Sequence, residues 1–497
     1  MNNHHILEQN ELQEPTLKEK AAKGFFWGGV SNFFQQLIGM CFGITIARIL
    51  SPDDFGLVFM LAIFTALATS FIDSGFSSAL MNRKTIEHRD YNAVFWFSAL
   101  MGLGLYVVLF FLAPLIAGFY NQPVLTNLSR LLFLNFVFGS MGLVHLVLMN
   151  KKMMAKHSGI IGMASVFFSG AIGIVLALNG YAYWGLALQQ VSQSLIATIL
   201  RWYYSKWKPS WHLDFSPVKE MFGYSIKLLV TSMMAQLANH IFSVVFGKLY
   251  GKTETGYYGQ GNKWASYGSQ VLVGTLSIIA YPALVEAKTD MERQVRVFRK
   301  MLRFAAFITF PALLGLVFVG KEFILIALGE KWLNSVIFLQ LFCLYGVNTC
   351  LSSLYTTLIW SHEKSTVYMR VTITLLFTQL MALFVIYIFH GSILLMICIY
   401  IALYWLSTLW FHYFANRITG LMMKDVMKDL LPYVFAACIG LVTAWVATFA
   451  IENVYIKFVV KCVVMTVVYA LTLWYGNSVI AKESFQYLMG MIKKTNK

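Results

Sequence analysis

Nine polar side chains lie within or at the ends of long apolar stretches and could do chemistry there. They are the bases Arg48, Lys227 and Lys263, the amides Gln36, Gln236, Asn239, Gln260 and Asn262, and the acid Asp73. A charged group at membrane depth costs about 2.5–3.5 kcal/mol on insertion scales, so it faces a cavity, finds a partner or snorkels to the surface. Bases in a cavity suit phosphate, amides suit a hydroxyl-rich ligand, and a lone carboxyl suits a proton or cation. Each also has a plainer reading. The three bases stand at span ends from which they can snorkel, the amides can bond one helix to another, and Asp73, beside Ser74 and Gly75, can cap a helix or pair with Arg48.

The same two readings apply to Asn32, Gln35, Gln189, Gln190, Gln193 and Gln270. Asp73 reads as the sole clear intramembrane acid, Lys461 as a snorkelling anchor, and His145, His240 and His412 as packed structural residues. Gly39 and Gly43, four apart, read as a helix-packing signal. Trp27, Tyr257, Tyr258, Trp264 and Tyr267 could stack on sugar faces or belong to an interfacial belt.

Enzyme chemistry is not expected. Gly251-Lys252-Thr253 ends like a phosphate loop, but Phe246 stands where its first glycine belongs; Thr366 replaces the second histidine that His362-Glu363 would need for zinc. The six cysteines lack zinc-type spacing, so neither metal nor cofactor is expected.

The elements that must position these residues follow from composition. Of 497 residues, 58% are hydrophobic and 12% charged, with mean hydropathy +0.66. Helices apolar on every side need a bilayer, which implies an all-α polytopic membrane protein. Polar breaks divide the chain into fourteen apolar segments of spanning length. Alternate loops hold 28 of the 38 Lys and Arg and the opposite loops hold 6, so both termini are expected on the cytoplasmic side. The +16 net charge is explained by those loops rather than by nucleic acid.

A shift of 200 residues lays Gln36-Leu37 on Gln236-Leu237, Phe42 on Phe242, Arg48 on Lys248 and Gly56 on Gly256. Six spans separate the copies, an even number, which implies parallel repeats about an axis along the membrane normal. The expected organisation is a tail (1–23), an N-lobe of six spans (24–204), an inter-lobe loop (205–222), a C-lobe of six spans (223–415), a loop (416–429), two appended spans (430–480) and a tail (481–497). Pro311, inside the ninth span, predicts a kink.

The string Ala47-Arg48-Ile49-Leu50-Ser51-Pro52-Asp53-Asp54-Phe55-Gly56, with Phe71-Ile72-Asp73-Ser74-Gly75-Phe76, resembles the first hairpin of the polysaccharide transporter family. These are the Wzx-type oligosaccharide flippases of the multidrug/oligosaccharidyl-lipid/polysaccharide exporter superfamily. Ile116-Ala117-Gly118-Phe119-Tyr120, Tyr183-Trp184-Gly185, Gly256-Tyr257-Tyr258, Tyr281-Pro282-Ala283-Leu284 and Leu328-Gly329-Glu330-Lys331-Trp332 extend the resemblance over about residues 20–420. It implies a V-shaped two-lobed transporter of the bacterial inner membrane. Its substrate would be a polyprenyl-pyrophosphate-linked oligosaccharide, moved to the periplasmic leaflet by alternating access for capsule, exopolysaccharide or O-antigen. Membrane lipids, a polysaccharide polymerase and glycosyltransferases are the implied partners. A cation-coupled drug exporter of the same superfamily and a peptidoglycan-precursor flippase are the alternative readings.

Overall fold

The computed structural model describes residues 17–476 apart from 74, 84 and 390, together with 478, 480 and 482; of the side chains, those of 17–26, 72, 73, 82, 224 and 278 are not described. The described residues are helical nearly throughout and contain no strand. With no water inside a bilayer, backbone amides and carbonyls must be paired within their own segment, and an α-helix does that for apolar sequence.

The first six crossings are α1 (Leu17–Ile49), a broken second crossing of α2 (Pro52–Met60), α3 (Ala62–Asp73) and α4 (Phe76–Asn82), then α5 (His88–Tyr120), the pair α6 (Leu125–Leu132) and α7 (Leu134–Lys151), α8 (Ala155–Leu178) and α9 (Tyr183–Ser205). The next six are α10 (Ser216–Leu249), α11 (Gly251–Glu286), α12 (Met291–Thr309) continued by α13 (Gly315–Ala327), α14 (Ser335–Ser361), α15 (Ser365–Ile388) and α16 (Ile393–Thr419). Two more, α17 (Met423–Ala447) and α18 (Val454–Tyr475), complete the described chain.

Thirteen of these crossings are long and apolar enough to span a membrane. The other is α9, whose 23 residues suffice in length but carry Gln189, Gln190 and Gln193. The fourteen expected spans therefore appear as fourteen helical crossings, one of them unusually polar. At Pro311 the chain passes through a π turn, Phe310–Leu314, between α12 and α13, which is how the missing backbone donor is accommodated.

In the first lobe α8 packs along α1 and α9. Side chains added at Gly159, Gly162 or Gly170 would collide with Ser31, Gln35 or Phe42 of α1, so the small-residue stripe that admits α1 lies on α8. The expected Gly39–Gly43 contact is different in kind, because those glycines face Tyr267 and Lys263 of α11. In the second lobe α14 is the central helix, packed on α11, α13 and α16.

The appended pair rests on α12 and α13, with Tyr469 donating to the Phe307 carbonyl at 2.9 Å and Arg299 paired with Asp429 at 2.7 Å. Lys461 does not snorkel. Its ammonium lies 2.7 Å from Glu322, both side chains under a tenth exposed. Glu322 is thus a second acid at membrane depth, overlooked in the sequence because it stands near the end of an apolar span.

Candidate functional site

Two connected cavities run through the first lobe toward the seam with the second. One, of 390 Å³, is lined by Asn32, Gln36, Gly43, Phe55, Gln189 and Lys263 among others. The other, of 610 Å³, reaches Thr65, Asn135, Ser194, Arg201 and His240. Gln35, Gln190 and Gln193 line both. Gln190, Gln193 and Arg201 follow helical spacing and so form one polar face of α9.

Opposite that face, the Lys263 ammonium lies 5.9 Å from the centre of the Phe55 ring and 6.0 Å from that of Tyr267. Gly43 lies against it, a Cβ there standing 3.4 Å from the Lys263 nitrogen, in ordinary contact. Among the described residues no carboxylate pairs with Lys263. A cationic group among neutral donors and acceptors can hold a phosphate and hydroxyls together.

The end of the molecule away from the Lys- and Arg-rich loops is closed by contacts between the lobes. α2 starts on a capping box: the Ser51 hydroxyl accepts from the Asp54 amide, the Asp54 carboxylate accepts from the Ser51 amide at 3.0 Å, and Pro52 takes the first helical turn. That leaves Asp53 to reach across to α11, 2.9 Å from Lys252 and 2.6 Å from the Thr253 hydroxyl. Burial alone would raise the Asp53 pKa, but the Thr253 hydrogen bond and the Lys252 ammonium hold it below the usual carboxylate range.

One turn on, α2 and α11 touch backbone to backbone. A Cβ on Gly56 would collide with the Lys252 carbonyl, and one on Gly256 with the Pro52 carbonyl. These contacts are exchanged by the 200-residue repeat, which carries Pro52 to Lys252 and Gly56 to Gly256. The crossing therefore sits on the pseudo-two-fold axis.

The repeat extends to the bases. Arg48, ending the first helix of one lobe, donates to the Ala327 carbonyl at 2.8 Å and the Ile326 carbonyl at 2.5 Å, the open C-terminus of α13 in the other lobe. Lys248, ending the first helix of the second lobe, donates at 2.5 Å to the Phe119 carbonyl at the end of α5. Both place a cation on the negative end of a helix dipole across the seam. Lys331 adds hydrogen bonds to the Arg48 and Leu50 carbonyls at 2.9 and 2.6 Å, and the fully buried Trp332 donates to the Ala47 carbonyl at 2.9 Å. The two strings 47–56 and 328–332 thus meet and form one clasp.

Of the residues proposed from sequence as a site, Gln36 and Lys263 line the narrower cavity together. Arg48 belongs to the clasp. Lys227 is exposed on α10 and lines neither cavity. Gln236 is half-buried outside both, Asn239 accepts from the Tyr404 hydroxyl at 2.8 Å, and Asn262 accepts from Ser266 at 3.3 Å. Gln260 is fully buried in the second lobe. The Asp73 side chain, and with it the expected pairing with Arg48, lies outside the described residues; the Arg48 guanidinium donates to α13.

His145 packs as expected, 2.7 Å from Ser205, and His412 lies 3.3 Å from the Tyr355 hydroxyl, whereas His240 lines the wider cavity. Arg201 lies on α9, and its spacing from Gln190 and Gln193 is the sequence signal that places it on the polar stripe.

Comparison with known proteins agrees with this architecture. A family model described as "Polysaccharide biosynthesis protein" matches residues 45–337. The lipopolysaccharide biosynthesis protein WzxC of Escherichia coli (strain K12) is 27% identical over 338 residues, covering 67% of this chain and 68% of that protein. An uncharacterised membrane protein in the cps region of Klebsiella pneumoniae is 24% identical, covering 84% and 83%. The structure of the lipid II flippase MurJ in an inward closed conformation superimposes with a TM-score of 0.73 at 15% identity, covering 91% of this chain and 99% of that one.

Proposed function

The chain belongs to the polysaccharide biosynthesis protein family, and from that premise we propose that it is a flippase for a polyprenyl-pyrophosphate-linked oligosaccharide. The observation that carries the proposal is the amide-lined cavity with the Lys263 ammonium on its wall and an inter-lobe clasp across one end. An oligosaccharide headgroup entering hydrocarbon would lose many hydrogen bonds at several kcal/mol each, so it needs a polar path. Gln35, Gln36, Gln189, Gln190 and Gln193 offer donors and acceptors to sugar hydroxyls, while Lys263 and Arg201 offer positive charge to the pyrophosphate.

The chain sits in the bacterial inner membrane with the Lys- and Arg-rich loops and both termini cytoplasmic. The clasp then closes the periplasmic side, and the wider cavity, reaching Arg201 and Met149, receives the headgroup from the cytoplasmic side. Residues 24–204 and 223–415 rock apart at the Gly56–Gly256 crossing, releasing the clasp and exposing the headgroup to the periplasm. The membrane potential favours outward movement of anionic charge by about 2.3 kcal/mol per charge per 100 mV. The protein's own part is binding and passage, with no bond of the substrate made or broken. It serves capsule, exopolysaccharide or O-antigen assembly alongside a polymerase and glycosyltransferases.

The described residues lining the two cavities include bases and no carboxylate, which favours an anionic headgroup over a cationic drug. Deletion of the gene is expected to leave lipid-linked oligosaccharide on the inner leaflet and to remove surface glycan, with both reversed by the wild-type chain. Normal surface glycan in the deletion strain, with no other flippase encoded, overturns the proposal.

A further inference from the structure

A separate polar cavity of 480 Å³ opens between α13 and the appended helices, lined by Lys321, Glu322, Trp445, Glu452, Lys457 and Lys461 among others. It shares no lining residue with the two cavities of the first lobe. Its floor is the buried Glu322–Lys461 pair, and the pair is incompletely satisfied: one Glu322 oxygen takes the ammonium at 2.7 Å, while the other is buried with no partner among the described residues. A buried carboxylate oxygen without a donor is costly, and here the space beside it is polar.

Glu322 stands five residues before the end of α13 and Lys461 seven after the start of α18. At about 1.5 Å per residue both lie some 8–10 Å inside the clasp end, within reach of the polar belt of the bilayer. The Trp445 side chain, 57% exposed, stands at the rim as an aromatic does at a membrane interface.

The charges around the cavity define its occupant. A simple anion would face the free Glu322 oxygen and Glu452, and a simple cation would face three lysines. A group carrying both signs answers both. We propose that this cavity binds the headgroup of an aminophospholipid from the leaflet on the clasp side, with the phosphate at Lys321 and Lys457 and the ammonium at Glu452 and the free Glu322 oxygen. The last two helices then complete a lipid site that the twelve-helix body would lack. This proposal does not depend on what the central cavity carries.

The test uses the full chain purified in neutral detergent and titrated with phosphatidylethanolamine, phosphatidylglycerol or phosphatidic acid. Bound lipid is read by native mass spectrometry and thermal unfolding. Phosphatidylethanolamine is expected to bind at least tenfold tighter than the other two and to raise the unfolding temperature. Glu322→Gln strands the buried Lys461 charge, so the test rests on the rim variants Glu452→Gln and Lys457→Gln. Glu452→Gln should reduce the preference at least tenfold, and Lys457→Gln should weaken phosphatidylethanolamine binding at least tenfold, each leaving the lipid-free unfolding temperature unchanged. Equal retention of the three lipids, preference for either anionic lipid, no retained lipid, an unchanged preference in Glu452→Gln, or unchanged phosphatidylethanolamine binding in Lys457→Gln overturns the proposal.

Discussion

Replacing Gly56 by alanine adds one methyl group at the point where α2 and α11 touch. The added carbon would collide with the Lys252 carbonyl oxygen, which is backbone and cannot swing aside as a side-chain end would. The helices must separate, and the contacts beside the crossing, Asp53 with Lys252 and Thr253, loosen with them. Overpacking of this kind costs about 1–3 kcal/mol, which shifts the balance between clasped and unclasped states by about 5- to 150-fold. Because the collision exists only when the lobes meet here, the cost falls on the clasped state and not on folding of either lobe.

Spin labels at Val124 and Glu330, in loops at the clasp end on either lobe, report the separation by pulsed electron resonance in a cysteine-free background. Gly56→Ala should move most of the population to longer distances. Gly256→Ala, which meets the Pro52 carbonyl, should do the same. Gly118→Ala, on the same end but with nothing within 4 Å of the added carbon, should not. An unchanged distance distribution for both Gly56→Ala and Gly256→Ala refutes the reasoning that the crossing holds the lobes closed.

Other consequences are open to measurement. Lys461→Ala leaves Glu322 buried without its partner and should lower stability by about 3–5 kcal/mol, whereas the double change Lys461→Met with Glu322→Gln should recover most of it in thermal unfolding. The Asp53–Lys252 pair is roughly two-fifths exposed on each side and is worth no more than about 1 kcal/mol. Since the Asp53 pKa lies below its unfolded value, the pair is fully formed above the ordinary carboxylate range and is lost as pH falls through the depressed value. The label separation should therefore stay constant from about pH 8 to pH 5 in wild type, and loss of closure already near pH 6 would contradict this. Reporter fusions after Asn150, Lys208 and Lys497 should behave as cytoplasmic and those after Gln122 and Lys252 as periplasmic; a periplasmic C-terminus would reverse the assigned orientation.

The fold was largely legible because a bilayer leaves few choices. All-round apolar segments become helices, and their number and the basic asymmetry follow from composition. The repeat was legible too, through Arg48/Lys248 and Gly56/Gly256, but its meaning was not. Those four residues look like a snorkelling base and a helix-opening glycine until the second lobe is placed against the first. Proximity between residues 200 or 280 apart has no signature in a single chain.

The cavity was visible as a class, amides in the first and sixth spans, and less so residue by residue. Gln36 and Lys263 share a wall, while Gln236, the repeat equivalent of Gln36, does not. The two lobes keep the same helices, and the two amide-lined cavities open along the polar stripe of the first. Lys461 reads as a snorkelling anchor, and Asp73 as the sole clear intramembrane acid, because hydropathy treats each span alone, and a charge near a span end looks solvated until its partner is found.

The most direct test of the flippase mechanism is transport in proteoliposomes carrying a fluorescent polyprenyl-pyrophosphate oligosaccharide, with the outward-facing headgroup detected by a lectin or an impermeant quencher. Wild type should equilibrate the lipid between leaflets. Lys263→Ala should slow flipping by about tenfold or more, the value of a charge-assisted contact, with Lys263→Arg retaining most of the rate. Unchanged flipping in Lys263→Ala at equal protein incorporation would contradict the assignment of Lys263 to the headgroup phosphates. Absence of flipping by the wild-type chain would contradict the function itself.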